Sequence, residues 1–131
     1  GFTNGCFDLI HPGHISLLHC AKNECDKLVV GLNSDSSVAQ LKGKDRPIQK
    51  ENARATVLLA LKDVDIVIIF NEETPIKLIE LIKPDVLIKG GDYKIDEIVG
   101  AEFIQQNGGR VVLSDYKKGH STSDIIKKIE S

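Results

Sequence analysis

Apolar residues in this chain fall in short unbroken runs rather than in alternation. Lys27–Leu32 (KLVVGL), Asp65–Phe70 (DIVIIF), Asp85–Lys89 (DVLIK) and Arg110–Leu113 (RVVL) are rich in Val, Ile and Leu. That composition suits strands covered on both faces. The opening Phe2-Thr3-Asn4-Gly5 supplies a fifth. Helical periodicity separates the runs, at His14–Glu24, Lys50–Lys62, Thr74–Ile82 and Asp96–Asn107, with a last pattern from about Ser121 to Ile129. Turn punctuation agrees: Thr74-Pro75 opens a helix with proline at its first position, Lys83-Pro84 closes it, and Asn107-Gly108-Gly109 closes the next. The polar stretch Gln40–Lys50 (QLKGKDRPIQK) reads as a long loop. Strands alternating with helices predict an α/β fold, a doubly wound five-stranded parallel sheet with right-handed crossovers, as a single domain over residues 1–131.

In such a sheet, ligands bind outside the carboxyl ends of the strands. Each unusual polar cluster follows a predicted strand: Asn4-Gly5-Cys6-Phe7 with His11 and His14 after the first, Asn33-Ser34-Asp35 after the second, and Lys89-Gly90-Gly91-Asp92-Tyr93 after the fourth. Gly119-His120-Ser121-Thr122-Ser123 follows the fifth, with hydroxyls suited to capping a helix or holding a phosphate. The strongest signal is His11-Pro12-Gly13-His14. Proline suits the first turn of a helix, Gly13 leaves the backbone open to a bulky anion, and two imidazoles at i and i+3 share a face. Together they stand at the positive end of a helix, where phosphate is favoured. Taken singly, each cluster also has a structural explanation: a packing histidine, a Gly-Gly turn, a Ser/Thr helix cap, or a solvated loop in the case of Lys42, Lys44 and Arg46. Their shared rim is what argues for a site.

Composition narrows the chemistry. With 17 basic and 19 acidic residues the net charge is −2, which gives no general reason to bind nucleic acid or an anionic membrane. No run is long enough to span a bilayer. The three cysteines, Cys6, Cys20 and Cys25, include no CxxC, so reduced thiols in the cytoplasm are expected. A zinc site from His19, Cys20 and Cys25 has none of the usual spacings. Neither GxGxxG nor GxxxxGK[ST] occurs, which removes the main support for a dinucleotide oxidoreductase or a P-loop kinase.

Gly5-Cys6-Phe7-Asp8, His11-Pro12-Gly13-His14 and Ser121-Thr122 resemble the HxGH nucleotidyltransferases of the cytidylyltransferase-like superfamily. More narrowly, Phe2–Asp8, Asn33–Asp35, Leu41–Gly43, Arg46-Pro47, Leu87–Tyr93 and Ser121-Thr122 resemble the D-glycero-β-D-manno-heptose 1-phosphate adenylyltransferases, in one collinear order over nearly the whole chain. The chain departs from some cytidylyltransferases before Ser121-Thr122, where Asp115-Tyr116-Lys117-Lys118 stands in place of an arginine.

The resemblance implies a Rossmann-like sheet of nucleotidyltransferase type and attack by a sugar 1-phosphate on the α-phosphorus of ATP, for ADP-heptose and lipopolysaccharide core synthesis. It implies His11, His14 and Lys42 as catalytic residues. Thr3, Asn4, Gly5, Cys6, Phe7, Gly13, Lys44, Arg46, Arg54, Gly90, Asp92, Ser121 and Thr122 would hold the nucleotide, and Asp8, Asn33 and Asp35 the sugar. Lys42 and Lys44 would close over the phosphates from a mobile loop. Arg54 falls where cytidylyltransferases carry a phosphate-binding arginine. Mg2+ would ride on ATP oxygens, since the chain offers no carboxylate cage to serve as a metal site. A homodimer, and a sugar kinase fused to or working with the domain, are implied as partners. Two other functions fit the same residues: cytidylyl transfer to glycerol 3-phosphate or a similar alcohol phosphate, and a non-enzymatic nucleotide-sensing module.

Overall fold

A computed structural model describes residues 1–91, 93–114, 126, 128 and 129 of the chain. Strands β1 (Phe2–Gly5), β2 (Val29–Asn33), β3 (Ile66–Phe70), β4 (Val86–Gly90) and β5 (Arg110–Ser114) form one sheet in the order β3-β2-β1-β4-β5. Every pairing is parallel. The strand order therefore reverses between β1 and β4, with one half wound outward through β2 and the other through β4.

Helices cover both faces, which is why the strands lack alternation. On one face, Leu18 and Ala21 of α1 (Pro12–Asn23) and Leu58 of α3 (Glu51–Leu59) pack with Leu28, Val30, Leu32 and Ile88. On the other, Ile79 of α4 (Ile76–Ile82) and Ala101 and Ile104 of α5 (Ala101–Gln106) pack with Phe2 and Leu87. Gly31 keeps the centre of β2 open, because a Cβ there would come within 2.7 Å of the Phe2 ring. The far end of α1 is fastened by Asp65, whose Oδ2 accepts from Lys22 Nζ and from the Leu28 N–H.

Three features differ from the sequence-based expectation. A helix, α2 (Asp35–Lys42), occupies a stretch read partly as loop; Ser34 caps it by accepting from the Ser37 N–H. Its apolar anchor is slight, with Val38 its buried hydrophobic residue, so periodicity could not reveal it. The expected helix over 96–107 is broken into a 3-10 turn (Ile95–Glu97) and α5, because Gly100 sits at φ +89 against Ile79, where a Cβ would be 2.8 Å from Cδ1. Pro75 precedes α4 as its cap residue rather than opening it. The last expected helix lies mostly outside the described residues, of which 126, 128 and 129 are helical.

Thr3 needs a correction. Its side chain, expected at the nucleotide, is fully buried in the sheet, and its Oγ1 has no hydrogen-bond partner among the described residues. An orphan buried hydroxyl opposes folding, so its replacement by an isosteric methyl is nearly neutral or favourable. Thr3→Val is expected to hold or raise stability, by up to about 1 kcal/mol, in urea unfolding. A loss larger than that would mean the hydroxyl has a partner.

Candidate active site

The carboxyl ends of β1 and β4 flank the switch point at which open α/β sheets receive ligands. The chain leaves β1 through Phe7, which takes a left-handed conformation at φ 46, a strain of about 1–2 kcal/mol for a non-glycine residue. Burial of the Phe7 ring holds that turn. Gly5 is needed beneath it, since a Cβ there would lie 3.0 Å from the ring.

The turn delivers His11 to the N-cap of α1, in extended conformation. Its Nδ1 accepts from the Gly13 N–H at 3.1 Å, and His14 Nδ1 accepts in return from the His11 N–H at 3.3 Å. This is a capping box built from two imidazoles. The rings stack at 3.7 Å between centroids, and Phe7 lies tilted against His14 at 5.0 Å. Because each Nδ1 is an acceptor, each ring proton resides on Nε2. Burial pushes the His14 pKa down to about 4, and the neighbouring His11 adds to the effect. His14 is therefore a neutral Nε2–H donor at physiological pH. Sequence reasoning assigned the phosphate to the open helix start and to Gly13. Instead the Gly13 N–H is taken by His11, and the His14 and Ile15 N–H groups by the His11 carbonyl. The neutral His14 ring can offer a ligand its Nε2–H.

The two arginines expected at phosphate are occupied. Arg54 is fully buried: Nε donates to Gln49 O at 2.9 Å, Nη1 to Cys6 O at 2.8 Å and Asn33 O at 2.7 Å, and Nη2 to Asp35 Oδ1 at 2.9 Å. It ties the ends of β1 and β2 to the segment before α3. Arg46 Nε donates to Asp8 Oδ2 at 3.0 Å. Asp8, expected at sugar hydroxyls, is buried and also accepts from the Ile48 and Gln49 N–H groups. Burial pushes its pKa up, but the Gln49 and Ile48 N–H groups and Arg46 outweigh that and hold it below the usual carboxylate value. Asn33 is buried too, its Nδ2 donating to Ser37 Oγ. One Asp35 oxygen is held by Arg54.

Lys42 sits in the last turn of α2, not on a loop, and is exposed, as is Lys44. Asn4, Gly5 and Cys6 are half-buried at the end of β1, and Gly90 at the end of β4. Burial pushes the Cys6 thiol pKa up, while Lys42, Arg54 and Arg46 pull against it. A groove of about 650 Å³ runs beside His11 along α1, lined by Ile10, Pro12, Ile15, Ser16 and His19. Asp92, Ser121 and Thr122 lie outside the described residues. Lys89, which the sequence places in the rim cluster after the fourth strand without a role of its own, is half-buried near the end of β4.

A cytidylyltransferase-like family profile matches residues 2–128. The chain belongs to the cytidylyltransferase-like family. It is similar, at 60% identity over 129 residues, to the bifunctional protein HldE of Paramagnetospirillum magneticum, covering 98% of this chain and 26% of that protein. Against HldE of Caulobacter vibrioides the identity is 55%, over 100% of this chain and 27% of the relative. The chain thus spans about a quarter of the length of these relatives. Among solved structures, the lipopolysaccharide core biosynthesis protein from Thermoplasma volcanium aligns with a TM-score of 0.73 and 33% identity, covering 89% of this chain and 96% of that one. Membership of this family marks a nucleotidyltransferase-type domain.

Two measurements test this geometry. Nuclear magnetic resonance of the ligand-free protein should show the His14 ring neutral, with its proton on Nε2, down to about pH 5. A midpoint near the ordinary histidine value would contradict the capping arrangement. Because the native pKa lies below the unfolded one, His14 favours folding fully above the ordinary value of 6.5 and progressively less as pH falls toward about 4. Asp8→Asn should destabilise the fold by about 2–3 kcal/mol, the scale of hydrogen bonds to a charged acceptor. Since the Asp8 pKa is lowered, the stability gap between wild type and variant should persist above the ordinary carboxylate range and close as pH falls through the native value. An unchanged denaturation midpoint at pH 7 would mean that Asp8 does not hold the 46–49 segment.

Proposed function

We propose that this domain transfers AMP from ATP to D-glycero-β-D-manno-heptose 1-phosphate, giving ADP-heptose and pyrophosphate for lipopolysaccharide core synthesis. An oxygen of the sugar 1-phosphate attacks the α-phosphorus, the bond from that phosphorus to the bridging oxygen breaks, and the electron pair leaves with pyrophosphate. No covalent enzyme intermediate is required. Catalysis then rests on positioning and on neutralising the charge that builds on the α-phosphate and the leaving group.

The observation that carries this reading is the imidazole pair, with each Nδ1 engaged by a backbone N–H and the neutral His14 ring presenting an Nε2–H donor. Donors fixed before the reaction need no reorganisation as charge develops. Relatives at 55–60% identity that carry the HldE name support the heptose branch. Lys42 and Lys44 would meet the phosphates, with Asn4, Gly5, Cys6, Phe7 and Gly90 forming the floor. Asp92 would meet the ribose or base, and Ser121 and Thr122 the β- and γ-oxygens. Among the described residues no group of three His, Cys, Asp or Glu side chains could hold a metal, so Mg2+ would be borne on phosphate oxygens, where it offsets their charge.

These relatives are bifunctional and about four times longer than this chain. In our reading the second activity is a sugar kinase of the same route, and the domain acts as a homodimer. Among the described residues no helix is long and apolar enough to cross a membrane. Cys6, Cys20 and Cys25 are all free thiols, as suits the cytoplasm in which we place the enzyme.

Incubation with ATP or CTP against heptose 1-phosphate or glycerol 3-phosphate, with mass detection of products, tests the reading. ATP with heptose 1-phosphate should give ADP-heptose, and His14→Ala should lower its turnover by about 10²-fold with folding intact. Product from CTP and glycerol 3-phosphate instead would replace the heptose assignment. Wild-type turnover in the variant would remove His14 from the mechanism.

A further inference from the structure

We propose that Lys89 is a further catalytic residue, whose ammonium, held over the Tyr93 ring at the β1/β4 switch point, binds a phosphate of the reacting substrates. The inference rests on the function proposed above and names a contact that the capping and arginine networks leave unfilled.

The first argument is electrostatic. The reaction gathers a triphosphate and a sugar phosphate in one cleft. His14 is neutral, Arg46 is paired with Asp8, and Arg54 is buried and paired with Asp35. Net positive charge for the phosphates must come from elsewhere. Lys42, Lys44 and Lys89 form no ion pair with any described residue.

The second argument is position. Lys89 is the penultimate residue of β4, paired with Leu113 of β5, and β4 lies directly beside β1. Its ammonium feels both Cys6, at the end of β1, and Lys42, at the end of α2. Cys6 in turn feels Lys42. The charge of Lys42 thus acts on both Lys89 and Cys6, across the two halves of the sheet.

The third argument is that the side chain is held. Nζ lies 5.3 Å from the centroid of the Tyr93 ring, within cation–π range. Gly91, at φ +103, turns the chain back so that Tyr93 can cover its own strand end; a Cβ at Gly91 would already touch that ring at 3.2 Å. Burial pushes the Lys89 pKa down, the nearby Cys6 opposes this and Lys42 reinforces it. A half-buried ammonium near another lysine, with no carboxylate paired to it among the described residues, is stabilised by an incoming anion.

The test compares Lys89→Gln and Lys89→Arg with wild type, using KM and kcat for ATP and for heptose 1-phosphate separately, together with direct binding of inorganic pyrophosphate. Lys89→Gln should lower kcat/KM by about 10- to 100-fold, the range of one charge-assisted hydrogen bond, with an unchanged thermal midpoint. Lys89→Arg, which keeps the charge, should recover at least part of that loss. A rise confined to KM for ATP, with weaker pyrophosphate binding, assigns the contact to the nucleotide; a rise confined to KM for the sugar phosphate assigns it to the acceptor. Tyr93→Leu should raise the same KM by about 2- to 5-fold, the scale of an exposed cation–π contact. Equal losses in the Gln and Arg variants, or kcat/KM within twofold of wild type in Lys89→Gln, would overturn the proposal. If wild type makes no ADP-heptose, the heptose reading fails on its own. Lys89 is then judged by pyrophosphate binding: weakening in the Gln variant upholds it, and equal binding, or none by wild type, overturns it.

Discussion

The structure depends on one reciprocal contact: each imidazole of the His11/His14 pair accepts a backbone N–H through Nδ1. That contact holds only while both Nδ1 atoms lack a proton, so the helix cap and the neutral state of His14 are one physical fact seen twice. A protonated His14 would lose the His11 N–H and leave a backbone donor without its partner. Burial against Phe7 disfavours that protonation. The same burial requires the strained Phe7 turn, which in turn requires Gly5 beneath the ring. From the last strand residue of β1 to the first turn of α1, each element is set by the one before it.

Around this centre the cations divide by type. The guanidinium groups of Arg46 and Arg54 face inward onto carboxylates and carbonyls, where a planar fork with several donors can satisfy several acceptors at once. Arg54 joins Cys6, Asn33, Asp35 and Gln49 through one side chain. The lysines stay outside these networks, as compact charges on flexible stems. Arginine thus builds the rigid frame here, while Lys42 and Lys44 stay exposed outside it. The division also leaves Asp8 and Asp35 balanced in charge: each carries the counter-charge of a buried or half-buried arginine.

Much of this was legible in the sequence, and what was not shares a cause. Four of the five strands follow from Val/Ile runs bounded by turn residues, and these signals are local. The His11-Pro12-Gly13-His14 motif is local too. The roles of Asp8, Arg46 and Arg54 depend on partners 19 to 48 positions away, and no periodicity reports such pairings. A charged residue near a phosphate motif reads as a ligand until its partner is seen. Helix α2 was missed for the opposite reason: with Val38 its buried hydrophobic residue, its signal lay in the Ser34 cap rather than in an apolar stripe. Thr3 was misplaced because a strand's first residues and its functional end look alike when the strand is four residues long.

The tether at Asp8 also limits how the cationic segment can close. Lys42 ends a helix, and Gly43 follows at φ +107 with open space where a Cβ would stand. Three residues later Arg46 is fastened, with Ile48 and Gln49 held by the same carboxylate and Gln49 by Arg54. Swinging the whole 43–50 stretch as a rigid flap would break those bonds and strand a buried carboxylate, at a cost of several kcal/mol. Rotation about Gly43 with displacement of Lys44 and Asp45 spares the Asp8 bonds and strains instead the turn bond from the Arg46 N–H to the Gly43 carbonyl at 3.1 Å. The 43–45 tip is therefore the part of this segment that lies outside the Asp8 tether. The histidine turn, fastened to the same carboxylate through the backbone of Asp8, stays where it is.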